Sequence, residues 1–220
     1  MKHRMLAGFF SLICGALAGV AHADIKEPPM MTREAWGAKP ANIANMLKHD
    51  GPYKGIVVHN TATPQAAWKH KTTKQKLQDI QFGHQKNPHL FRKDMIKVQG
   101  KWGDFAYHYY IDIDGQIAAA RDPQYQGDSG TYYDMSGQLL VVLEGNFDKD
   151  PTNAKQLASL DAIVAWLASK HGLSADQITG HRQNFRVGTT KTVSTQCPGA
   201  NLEKYLPELR RKTAAALQSK

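Results

Sequence analysis

His59, His181 and Cys197 are the side chains of this 220-residue chain whose chemistry suits a shared metal ion. His59 sits near the end of Lys54-Gly-Ile-Val-Val-His-Asn60, His181 lies within Ile178-Thr-Gly-His-Arg182, and Cys197 precedes Pro198-Gly199. Two imidazoles and a thiolate favour zinc, and three protein ligands leave the fourth tetrahedral position to water, as catalytic zinc sites do. No zinc-finger spacing applies, because the three residues are far apart along the chain. Each taken alone is more often structural than ligating, so the fold has to bring them together.

The elements that must do so can be read from pattern. Residues 54–60 predict a buried strand ending near His59. Thr72 or Thr73 caps a helix running to about Gln85, with Leu77, Ile80 and His84 on one face. His84 therefore reads as a core histidine, a groove wall or a catalytic part. After a polar loop, residues 107–113 and 116–121 flank Asp114-Gly115, the signature of an antiparallel hairpin. In its first strand His108 points away from Tyr107 and reads as structural. Residues 124–137, rich in Gly, Asp, Ser and Tyr, predict a loop, and the apolar run 139–143 predicts a central strand. Thr152 or Asn153 opens a helix whose buried stripe is Leu157, Leu160, Ile163, Val164 and Leu167, with Gly172 as its stop. A last helix lies within 201–218, interrupted at Pro207. Residues 24–54 read as a wrapping segment with one short helical turn near 42–47. Strands and helices interleave, and the hairpin makes the sheet mixed. The fold class is therefore α/β, a mixed central β-sheet flanked by helices.

At the N-terminus Lys2, His3 and Arg4 precede an apolar run from Met5 to Val20 that closes on Ala21-His22-Ala23. This is the pattern of a secretory signal peptide, so residues 1–23 are expected to be removed and residues 24–220 to form a single domain. The run is short for a transmembrane helix, an uncleaved anchor being the alternative. Cys14 lies in the discarded run and is a poor match to a lipid-attachment site. Cys197 then remains as the lone thiol of an exported protein, which excludes an intramolecular disulfide. Such a thiol is a leftover, a reactive group or a metal ligand. The formal net charge is +9, of which the leader holds Lys2 and Arg4. A basic exported chain suits anionic envelope polymers. The leader and the lack of an interleaved aromatic-basic motif argue against nucleic acid. The protein is expected in the periplasm or secreted, as a monomer with no stable membrane anchor.

Seven sequence words occur in order: Arg33-Glu-Ala-Trp-Gly-Ala38, Ile56-Val-Val-His-Asn-Thr-Ala62, Phe105-Ala-Tyr-His-Tyr-Tyr-Ile111, Asp114-Gly-Gln-Ile117, Leu143-Glu-Gly-Asn-Phe147, Ile178-Thr-Gly-His-Arg182 and Thr195-Gln-Cys-Pro-Gly199. Together they resemble the zinc N-acetylmuramoyl-L-alanine amidases of the second amidase family, which includes phage lysozyme-type amidases and the peptidoglycan recognition proteins. The likeness spans about residues 33–206. It implies that fold, Zn2+ held by His59, His181 and Cys197, and peptidoglycan or muropeptides as the partner. The implied reaction is hydrolysis of the amide between N-acetylmuramic acid and L-alanine. The resemblance carries the hydroxyl that contacts the scissile amide onto Tyr107. Thr195 stands where relatives have Lys or Thr.

Some features depart from that pattern. Many relatives read Gly-x-His-Ala where this chain reads Gly127-Asp-Ser-Gly130, so a substrate-contacting histidine is missing. Some branches place a glutamate base at the position of Val142. Glu144, on the same side of the strand, is the candidate to replace it, against a reading as a solvated strand-end acid. Asn60, Thr61 and Arg182 adjoin the ligands, either orienting them or touching substrate, as neighbours of zinc ligands commonly do. The stretch between His181 and Cys197, with Arg186, Gly188 and Lys191, is long and basic. It reads as a loop meeting anionic wall polymer or as a solvated insertion. The rival functions are a non-catalytic peptidoglycan-binding module on the same fold and a zinc endopeptidase acting on stem peptides.

Overall fold

A computed structural model describes residues 24–86, 102–131 and 133–219. Residues 1–23, which the sequence predicts to be a signal peptide, and most of the polar loop after the first long helix fall outside these residues. Among the described residues no helix is long and apolar enough to cross a membrane.

The order of elements is β1 (Met30–Met31), α1 (Arg33–Trp36), β2 (Gly55–Asn60), α2 (Gln65–Trp68), α3 (Thr73–Lys86), β3 (Tyr109–Ile111), β4 (Ile117–Ala119), β5 (Gln138–Leu143), α4 (Ala154–His171), β6 (Ile178–Gly180), α5 (Ala200–Glu203) and α6 (Leu206–Gln218). The strands form one sheet in the order β1-β4-β3-β5-β2-β6. Among the described strands of the sheet only the β3-β4 pair is antiparallel, so the sheet is mixed, as the hairpin predicts. β2 lies between two parallel partners and is buried along its whole length. That position suits an uninterrupted run such as Ile56-Val57-Val58, which has no solvent face to alternate with.

Helices cover both faces. On one, Leu160, Ile163, Val164 and Leu167 of α4 and Leu206, Leu209 and Leu217 of α6 pack on Ile56, Val58, Leu139, Val141 and Leu143. On the other, Trp36 and Leu77 meet Tyr110, Ala118 and Val142. The helix ends follow from local chemistry. Thr72 and Gln75 form a reciprocal cap on α3, with Gln75 N–H to Thr72 Oγ1 at 3.3 Å and Thr72 N–H to Gln75 Oε1 at 2.9 Å. Asn153 caps α4, and Gly172 ends it in the left-handed conformation.

Three expectations are refined. The hairpin strands are shorter than 107–113 and 116–121, because Asp112 draws the chain into a turn. Its Oδ1 accepts the N–H groups of Asp114 and Gln116 at 3.0 and 2.7 Å. The final helix is broken at Lys204-Tyr205, so Pro207 lies in the first turn of α6, where a missing N–H costs nothing. Residues 24–54 hold β1 and α1 besides the expected turn at Ile43–Asn45.

Buried charge ties α3 to the sheet. Lys76 Nζ lies 2.9 Å from both carboxylate oxygens of Glu144, which also accept from Tyr110 Oη at 2.9 Å and the Ile113 N–H at 3.2 Å. Removing one partner of such a pair strands the other in a low-dielectric interior. Lys76→Ala is therefore expected to lower stability by about 3–5 kcal/mol. Urea unfolding measures this, and a loss within error of zero would contradict the closed network.

Candidate metal centre

Two adjacent parallel strands set the histidines side by side. His59 is the penultimate residue of β2, and His181 directly follows β6, which pairs with β2 from Ile56↔Ile178 to Val58↔Gly180. Residues leaving parallel strands at their carboxyl ends share one edge, where open α/β sheets place their ligand sites. Alternation along β2 puts Val57 and His59 on the face away from α4, where Val57 packs with Tyr133, Met135, Leu140 and Val193. The His181 turn is held from behind by α6. Arg210 donates to the Ile178 carbonyl and to Gln183 Oε1, each at 2.7 Å.

Cys197 reaches the same edge from the segment before α5. The Arg182 N–H donates to the Cys197 carbonyl at 3.0 Å. Gly199 has φ +92°, and a Cβ there would come within 2.6 Å of the Phe147 carbonyl carbon. Glycine is required for this turn to lie so close to residues 147–148.

The candidate ligand atoms of the three residues lie within 4.8 Å of one another, and Cys197 Sγ is 3.5 Å from His59 Nδ1. His181 Nδ1 is buried with no hydrogen-bond partner among the described residues. An unpartnered buried ring nitrogen is costly, and a metal ion is the partner that these surroundings can accept. The opposite nitrogens are occupied. His181 Nε2 lies 2.6 Å from Thr131 Oγ1 and 3.3 Å from Ser129 Oγ, and His59 Nε2 lies 3.2 Å from Tyr133 Oη. With Nε2 carrying the proton toward these hydroxyls, Nδ1 of each ring keeps its lone pair for a metal. The donors therefore fit zinc.

Burial keeps both imidazoles neutral. It pushes His181 down to about 4 and His59 well below its usual 6.5, with His181 and His108 adding repulsion in the second case. Burial also pushes the Cys197 thiol up to about 12, against the Asn60 N–H that reaches the sulfur at 3.3 Å and the nearby Arg182. A coordinating metal reverses that, since a ligating thiol is deprotonated outright.

Tyr107 is half-buried, its ring 4.9 Å from that of His59. Burial, followed by the neighbouring Cys197, raises its hydroxyl above the usual 10, so at neutral pH it donates rather than accepts. Together with Thr61, Thr63, Trp68, Ile80, Gly83 and His84 it lines a cavity of about 250 Å³. His84 Nδ1 accepts the Ala106 N–H at 3.0 Å, which fixes the chain just before Tyr107. Trp68 Nε1 is buried without a hydrogen-bond partner among the described residues. Thr195 Oγ1 accepts the Cys197 N–H at 3.2 Å. His108 has both ring nitrogens committed, Nδ1 accepting from Leu140 N–H at 2.8 Å and Nε2 meeting the Tyr125 carbonyl at 2.9 Å.

Geometry corrects one expectation and narrows another. Glu144 is neither a solvated acid nor a base poised for water. It is 1% exposed, and its oxygens are taken by Lys76, Tyr110 and the Ile113 amide. Arg182 sets its terminal nitrogens on the Gln196 carbonyl, on Glu203 at 3.0 Å and on Asp148 at 3.9 Å, which fits the alternative of orienting the cysteine segment over that of touching substrate. Sequence reasoning missed the hydroxyls of Ser129, Thr131 and Tyr133, because the composition of 124–137 says only that it is a loop. Their alternate spacing was the available signal.

Comparison with known proteins agrees with this geometry. Residues 49–200 match the N-acetylmuramoyl-L-alanine amidase family. Peptidoglycan-recognition protein SD of Drosophila simulans is 28% identical over 175 residues, 78% of this chain and 83% of that protein. The crystal structure of Drosophila peptidoglycan recognition protein SD superposes with a TM-score of 0.63 at 23% identity, covering 83% of this chain and 95% of that one. The N-acetylmuramoyl-L-alanine amidase LysC from Clostridium intestinale superposes at 0.57 with 21% identity, covering 84% and 97%. With more than half its length matched and the fold shared, the chain belongs to the N-acetylmuramoyl-L-alanine amidase family.

Proposed function

We propose that this protein is a zinc hydrolase, exported from the cytoplasm, that cleaves the amide bond between N-acetylmuramic acid and L-alanine of peptidoglycan. The observation that carries this reading is the convergence of His59, His181 and Cys197 beside the Tyr107 ring. Bound zinc supplies a Lewis acid and a water whose pKa falls to about 7. His59 Nδ1, His181 Nδ1 and Cys197 Sγ would hold the ion, while Ser129, Thr131 and Tyr133 keep the far ring nitrogens protonated and the rings fixed. Tyr107 donates its hydroxyl to the carbonyl oxygen of the scissile amide as that oxygen gains charge. Thr195 steadies Cys197 by accepting its N–H. Thr61, His84 and the Trp68 indole N–H form the wall that receives the substrate next to Tyr107. Asn60 acts through the sulfur to which its N–H donates.

The recognition-protein relative raises a non-catalytic reading on the same fold. The joint presence of Cys197 and Tyr107 favours turnover over binding alone, and the family's name favours the sugar-peptide amide over a bond within the stem peptide. Digestion of purified peptidoglycan separates these readings. Stem peptides with a free L-alanine amino terminus, abolished by a chelator, are the expected products by mass spectrometry. Absence of any fragment would identify a binding module, and fragments cut within the stem would identify an endopeptidase.

Two variants test individual roles. Tyr107→Phe is expected to retain zinc and slow turnover by roughly ten- to a thousandfold, the range for an oxyanion donor. An unchanged rate would remove Tyr107 from the reaction. Thr131→Val, which removes the closest partner of His181 Nε2, is expected to weaken zinc by about 10–100-fold. Competition with a chromogenic chelator reads this directly, and wild-type affinity would show that the hydroxyl is incidental.

A further inference from the structure

The segment between His181 and Cys197 is a built arm. The Val193 N–H donates to the Asn184 carbonyl at 2.9 Å, the Arg186 N–H to Lys191 at 2.8 Å and the Thr189 N–H to Arg186 at 3.0 Å. Phe185 pairs with Thr192 in an antiparallel bridge, and Gly188 turns the tip at φ +72°. Residues 184–193 therefore make a two-stranded ribbon. Its base is fixed to the metal centre. Asn184 Nδ2 donates to the Gly180 and His181 carbonyls at 3.0 and 3.2 Å, and Arg186 bridges Tyr133, whose hydroxyl meets His59.

The two faces of the ribbon differ. Residues directly opposite in an antiparallel pair share a face, and successive residues alternate. Arg186 and Lys191 thus share the face that continues inward to Val193, which is buried against Tyr133. Phe185 and Val187 occupy the other face and are 62% and 60% exposed. Arg186, Gly188, Thr189, Thr190 and Lys191 surround a depression of about 790 Å³.

We infer that this ribbon is a second binding surface for polymeric peptidoglycan, separate from the groove that holds the scissile amide. The inference rests on the proposed substrate and names the contacts that grip it as a polymer. Arg186 and Lys191 take the terminal carboxylates of stem peptides that are not being cut, since every free peptide end carries one. Phe185 and Val187 offer an apolar face to the flat side of sugar rings. Charge complementarity selects this occupant, because the wall polymer carries carboxylates and the cationic face continues inward to Val193 and Tyr133 beside His59. The ribbon therefore favours the insoluble polymer over small fragments.

The test uses the full exported chain and two variants, Arg186→Gln/Lys191→Gln and Phe185→Ser, with insoluble sacculi, a soluble muropeptide and vesicles of anionic phospholipid as probes. All the changed residues are exposed, so unchanged melting confirms folding. The double variant is expected to bind sacculi about tenfold more weakly at low salt, with the difference shrinking as salt rises. Its kcat/KM on the soluble muropeptide is expected to fall by less than about threefold, the ribbon contacts being absent from a small fragment. Phe185→Ser should weaken sacculus binding at all salt concentrations. Wild-type binding of sacculi by both variants would overturn the inference, as would an equal loss on polymer and fragment. A ribbon-dependent affinity for vesicles with no effect on sacculi would also overturn it. If the wild-type protein hydrolyses neither substrate, the hydrolase reading fails while the sacculus-binding ratio still decides the role of the ribbon.

Discussion

The buried lone pair on His181 Nδ1 has no hydrogen-bond partner among the described residues, and the surrounding donors are arranged so that a metal ion could take it. The ring is buried, its other nitrogen is held by Thr131 and Ser129, and its nearest similar neighbours are a second neutral imidazole and a thiol. Protonation is the other way to use the lone pair, and burial opposes it by holding the group near 4. A site that disfavours protonation of its imidazoles and leaves His181 Nδ1 without a donor among the described residues is suited to a cation that accepts nitrogen and sulfur. The three residues come from different parts of the chain, so this preparation exists only in the folded state.

Each wall of the site is anchored by a separate piece of the fold. Parallel pairing of β2 and β6 sets the two histidines at one edge, and Arg210 on α6 locks the turn that carries His181. The hydroxyl-bearing loop is held from beneath by Arg121, whose guanidinium binds Asp128 and the carbonyl oxygens of Phe105 and Gln126 in a buried network. The cysteine segment is fastened by Arg182 to Glu203 and Gln196. The charged side chains nearest the chemistry are thus committed to holding backbone in place. That leaves neutral donors such as Tyr107 and Trp68 lining the cavity beside it.

The long elements were legible because their length allows periodicity to speak. The stripe of α4, the Asp114-Gly115 turn and the buried run of β2 each repeat a pattern over several residues, and the structure has them where the pattern puts them. β1, β6 and α1 have two, three and four residues. Such short pieces carry no period, and tertiary pairing alone defines them. At the site the three side chains that converge could be picked out from residue type and sequence words, since their chemistry is unusual. Glu144 and Arg182 could not be read, because an acid or a guanidinium looks the same in sequence whether it faces a groove or closes a buried ion pair. The partners that decide the matter, Lys76 and Glu203, lie far away in the chain.

X-ray absorption at the zinc edge of the purified protein tests the central claim most directly. The account predicts one zinc per chain with two nitrogen neighbours at about 2.0–2.1 Å, one sulfur at about 2.3 Å and one further light atom, the sulfur shell vanishing in Cys197→Ser. A chain that binds no zinc stoichiometrically, or one whose zinc shows no sulfur neighbour, would contradict it.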